Sequence, residues 1–165
     1  MKDLLNKVYL SIETTGLDPD NFEIIEIAAL KIDEFNNKSL FHRFIRPQQA
    51  LTSSAEAITN LKNSDLKEQK SFGQIKIEFL DFLGELPVVL NNQKFIEGFL
   101  NKQIGDELSN TKIDLNEMFN EKFPNESSSL ESMLTQFDLR IDTGFSASLN
   151  EVLILPRIYE KLSGH

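Results

Sequence analysis

Val8-Tyr9-Leu10-Ser11-Ile12-Glu13-Thr14-Thr15-Gly16-Leu17-Asp18-Pro19 reads as a strand that runs into a glycine turn. Side chains alternate along a strand, so Ser11 and Glu13 point to the same face. Downstream, Glu23 to Ile32 is apolar on both faces, with Ile25, Ile27 and Ala29 on one and Ile24, Ala28 and Leu30 on the other. That pattern predicts a central strand covered on both sides. Asn36-Asn37 predicts a hairpin turn into a third strand over Ser39 to Ile45, which makes an antiparallel meander.

Helical spacing takes over after residue 70. Ser71-x-x-Gln74 has the form of a capping box, followed by Phe72, Ile75, Phe79, Phe82 and Leu83. A short apolar strand follows over Leu86 to Leu90. Ser128-x-x-Glu131 and Ser148-x-x-Glu151 predict two further capped helices, the second carrying Val152, Leu155, Tyr159 and Leu162 inward. Pro156 lies inside that last helix and is expected to kink or shorten it.

The chain has 165 residues, 40% hydrophobic and 26% charged, which fits one globular domain spanning 1–165. With no cysteine, disulfides and thiolate metal sites are excluded, as suits a cytoplasmic protein. No apolar run approaches the ~20 residues of a membrane span. Net charge is −9, with Lys and Arg scattered, so there is no basic patch for a phosphate backbone. His42 and His165 lack metal-ligand spacing.

The opening stretch resembles the Asp-x-Glu-Thr-Thr-Gly motif of the DnaQ-like 3′–5′ exonuclease family. Val88-Val89-Leu90-Asn91-Asn92-Gln93-Lys94-Phe95-Ile96-Glu97-Gly98-Phe99-Leu100 resembles that family's second motif, apolar-apolar-x-His-Asn-x-x-Phe-Asp-x-x-Phe-Leu. Phe145 to Glu151 is similar to the third, His-x-x-x-x-Asp. Asn60 stands where the family has a glycine, a mild change because Asn tolerates the left-handed backbone region. The resemblance covers Lys7 to Leu162 and implies an α/β, RNase H-like fold: a central mixed sheet of about five strands with flanking helices.

The family cleaves the 3′-terminal phosphodiester with two Mg or Mn ions held by four carboxylates, with histidine as general base. By the resemblance, Glu13 is the retained acid. Ser11, Ile96, Phe145 and Asn150 stand at the other catalytic positions, and none can act there as the family's residue does. Glu13 alone is expected to bind metal weakly, and no cofactor is expected to bind tightly. Glu97, Glu151, Asp18 and Asp20 are expected to be solvated acids, with Glu151 also serving the Ser148 cap. Ile96 and Phe145 are expected to pack together where the metals would sit. Thr14, Thr15, Gly16 and Asn92 are the candidate nucleotide contacts. Against that role, the glycine turn has its own structural use, and Asn92 can cap the following helix. Glu26 is expected to make a structural hydrogen bond.

The expected function is a catalytically inactive family member, a binding or scaffolding module in DNA replication, repair or nucleic-acid metabolism. The acidic charge favours a protein partner in such an assembly. Two alternatives remain: a weak metal-dependent exonuclease using Glu13 with neighbouring acids, and single-stranded nucleic-acid binding without cleavage.

Overall fold

The computed structural model describes residues 4–164; His165 lies outside them. The described residues form a sheet in the order β3-β2-β1-β4-β5. Its strands are β1 (Lys7–Thr14), β2 (Ile24–Ile32), β3 (Lys38–Phe44), β4 (Val88–Leu90) and β5 (Lys112–Asp114). β1 pairs antiparallel with β2, and β2 with β3. The β2–β3 turn is fixed by Asp33 Oδ1, which accepts from the amides of Phe35 and Asn37, while Asn36 takes φ 65°.

The chain then crosses over through α1 (Ser53–Thr59), α2 (Asn63–Leu66) and α3 (Phe72–Leu83). It returns as β4, parallel to β1, which makes the sheet mixed. α4 (Gln93–Ile104) leads to β5, and α5 (Leu115–Lys122), α6 (Leu130–Gln136) and α7 (Ala147–Leu162) complete the fold.

Both faces of the inner strands are covered, as their apolar pattern demands. Val8, Leu10 and Ile12 pack with Ile75 and Phe79 of α3 and with Phe99 and Leu100 of α4. Tyr9, Ala28 and Val89 pack on the opposite face with Phe119, Met133, Val152 and Leu155.

Strict alternation fails at one place. Glu13 faces Glu26 and Thr14 faces Ile24, so Ile25 is an extra residue in β2. Ile24 therefore joins the cluster of Ile27 and Ala29, and Ile25 packs with Leu51, Ala55 and Leu66. The expected faces of Ile24 and Ile25 are corrected accordingly.

Two caps also move. Ser71 caps α3 as expected, its amide donating to Gln74 Oε1 at 2.9 Å. α6 is capped by Ser129, which accepts from the Ser132 amide, and not by Ser128. α7 starts after Ser146, so Ser148 lies inside the helix, 1% exposed. Pro156 does not end α7, because Val152 and Leu155 before it, and Ile158 and Leu162 after it, are all buried against the core. Asn60 takes φ 56° at the end of α1, the left-handed geometry for which asparagine is suited.

Candidate functional site

Glu13 lies near the end of β1, directly across from Glu26 on β2. Burial raises its carboxyl first, and the charges of Glu26 and Glu151 raise it further, from 4.5 to about 7. Glu13 thus stands within electrostatic reach of carboxylates on β2 and α7.

Glu151 is not a solvated acid, as the sequence suggested. Ser11, 1% exposed, donates its hydroxyl to Glu151 Oε2 at 3.0 Å. Burial raises the Glu151 carboxyl, and hydrogen bonds from Ser11 and Asn91 act in the opposite direction. The physical reason is helix phase. Residue 151 is one turn before buried Leu155, so it shares that inward face.

Glu26 has the structural role expected of it. It is 1% exposed, and its Oε1 lies 2.8 Å from His42 Nε2. The same oxygen accepts from the Ser146 hydroxyl, and Oε2 accepts from the Ser148 amide at 3.4 Å. A carboxylate from β2 thereby satisfies the N-terminus of α7. Ser146, His42 and Glu26 do not form a nucleophilic relay, because both Ser146 and Glu26 address the same nitrogen, Nε2.

The remaining candidates lie elsewhere. Ile96 is 3% exposed within the cluster of Leu10, Ile12 and Phe99. Phe145 is 55% exposed, so the expected packing of Ile96 against Phe145 does not occur. Phe145 instead precedes α7, where its amide donates to Asn150 Oδ1 and its carbonyl accepts from Asn150 Nδ2. Asn150 is therefore bound to the Phe145 backbone through both of its side-chain polar atoms. Glu97 pairs with Lys112 and Gln93. Asp18 accepts from Asp20 and Asn21 within its own loop, and Asp20 pairs with Lys102.

The candidate nucleotide contacts are engaged locally. Thr14 donates to the Gly16 carbonyl at 2.6 Å, and Thr15 accepts from the Glu23 amide at 3.0 Å. A Cβ on Gly16 would overlap the Phe22 ring, so a side chain there would force that ring to move. Asn92, at φ 67°, caps α4 by accepting from Phe95.

At the metal positions that the resemblance assigns, the donor set is changed. Ile96 offers hydrocarbon, and the Ser11 hydroxyl donates to Glu151. Among the described residues, no group of three or more His, Cys, Asp or Glu side chains is arranged to hold an ion.

Comparison with known proteins places these features. The family model described as "Exonuclease" matches residues 8–144. DNA polymerase III subunit epsilon of Rickettsia prowazekii is 30% identical, over 97% of this chain and 75% of its own length. The subunit of the same name from Buchnera aphidicola is 25% identical, over 96% of this chain and 71% of its own. Among solved structures, the nuclease domain of 3′hExo, a DEDDh family member bound to rAMP, superposes with a TM-score of 0.80 at 15% identity, covering 95% of this chain and 90% of that one. Exonuclease X in complex with 5′ overhanging duplex DNA gives 0.75 at 16% identity, covering 96% and 94%.

Proposed function

The chain belongs to the exonuclease family, and we propose that it is a DnaQ-like member whose cleavage site is degenerate, serving as a binding or scaffolding module. The observation that carries this reading is Ile96. The position where the family supplies a second-motif carboxylate lies sealed in the core, 3% exposed. The neighbouring acid does not substitute for it, because Glu97 is held by Lys112 at 3.0 Å. With hydrocarbon at Ile96 and Glu97 paired to Lys112, two dications beside Glu13 would lack the oxygen ligand that the family's second motif supplies.

The likeness to DNA polymerase III subunit epsilon supports a partner within a replication or repair assembly. The net charge of −9 favours a protein surface over bare nucleic acid. A cytoplasmic location agrees with that partner. Among the described residues, no helix is long and apolar enough to cross a membrane.

The test is digestion of a 3′-labelled single strand with Mg²⁺ or Mn²⁺. The expected result is no metal-dependent cleavage beyond that of a Glu13→Ala control. Cleavage lost in that control would overturn the reading. It would favour a second one, a weak exonuclease using Glu13 with Glu151, for which the inward turn of Glu151 is the supporting observation.

A further inference from the structure

We propose that Ser11 and Glu151 form a metal-free clasp, in which a neutral hydroxyl on β1 holds the α7 carboxylate that a cation would otherwise hold.

The geometry is a hydroxyl-to-carboxylate bond of 3.0 Å from Ser11 Oγ to Glu151 Oε2. Ser11 on β1 and Glu151 on α7 are 140 residues apart in sequence. α7 packs on β1, β2 and β4, and its first turn is also tied to β2 through Glu26. The clasp is therefore a second anchor on the same helix, one turn further along.

The chemistry explains why Ser11 and Glu151 suit each other. An aspartate at position 11 would face Glu151 and Glu13 as a third negative charge in a confined space, tolerable only with a cation between them. A serine hydroxyl donates to Glu151 and adds no charge. An alanine would leave the inward carboxylate short of a donor. Asn91 Oδ1 is buried without a hydrogen-bond partner, an acceptor that a cation would also use, so the test must separate the clasp from a single-ion site.

The proposal rests on the non-catalytic reading of the site, and the experiment separates the failure of each. The full chain and its Ser11→Ala, Ser11→Thr and Glu151→Gln variants are melted with EDTA and with millimolar Mg²⁺ or Mn²⁺. Amide exchange is followed over residues 147–155. Without metal, Ser11→Ala is expected to lower Tm by on the order of 3–8 °C and to speed exchange there about tenfold. Ser11→Thr, which keeps the hydroxyl, restores both. Glu151→Gln, which still accepts a hydrogen bond, behaves nearly as the unaltered chain. Neither ion shifts any melt. If Ser11→Ala leaves exchange unchanged and metals have no effect, the clasp fails while the non-catalytic reading stands. If Mn²⁺ raises the Tm of the unaltered chain and Glu151→Gln abolishes the rise, Glu151 is a cation ligand and both fail.

Discussion

Replacing Glu13 by Gln removes a carboxyl that the fold holds as an acid near neutrality. Burial is the main cause, with Glu26 and Glu151 adding to it, and together they move the group from 4.5 to about 7. The folded chain thus holds this proton more tightly than the unfolded chain does. Stability from this group is fully present below 4.5 and is lost as pH rises through about 7. At about 1.4 kcal/mol per pH unit the full difference is about 3 kcal/mol. Solvent reaches part of this half-buried side chain, which reduces the figure to about 2 kcal/mol. For a chain of this size that is about 4–8 °C in Tm.

Gln carries no such cost, because it is neutral throughout. Thermal melts of both proteins in EDTA, from pH 4 to 9, are the assay. Other acids titrate in both chains, so the difference curve isolates position 13. The two Tm values should coincide near pH 4, and Glu13→Gln should be the more stable at pH 8. A flat difference, or a variant less stable than the parent at pH 8, would refute the reasoning, because it would mean that the ionised carboxylate is welcome where it sits.

Three further outcomes follow from the packing. Ile96→Asp should cost about 4 kcal/mol or more in urea unfolding, since it removes apolar burial and places a charge at a position 3% exposed. Gly16→Ala should cost about 1–3 kcal/mol because its Cβ overlaps the Phe22 ring, and adding Phe22→Ala should recover part of the loss. Glu26→Ala should destabilise by about 2–3 kcal/mol and selectively speed amide exchange at the start of α7, because His42, Ser146 and the Ser148 amide all lose their shared partner.

Much of the fold was legible because its inner strands state their surroundings. β2 is apolar on both faces and is buried along nearly its whole length. The hairpin at Asn36 and the helix after Ser71 follow from local turn and cap chemistry. β5 was not legible: Lys112-Ile113-Asp114 is too short for a period, and it becomes a strand only by pairing with β4. The bulge at Ile25 was hidden for a similar reason, since alternation presumes an unbroken ladder.

In the site, Ser11 and Glu13 were placed on a common face correctly, as strand geometry requires. The last motif was harder. Its five-residue spacing is met equally by Phe145 with Asn150 and by Ser146 with Glu151. Helical phase separates the two pairs, because Leu155 was already recognised as inward and Glu151 lies one turn before it. The hub of Glu26, His42 and Ser146 joins three elements and carries no local signal; only the tertiary fold brings it together.

The most direct test of the central claim is anomalous diffraction from crystals soaked in millimolar Mn²⁺. No pair of manganese peaks is expected beside Glu13. Two ordered ions there, bridged by that carboxylate, would contradict it.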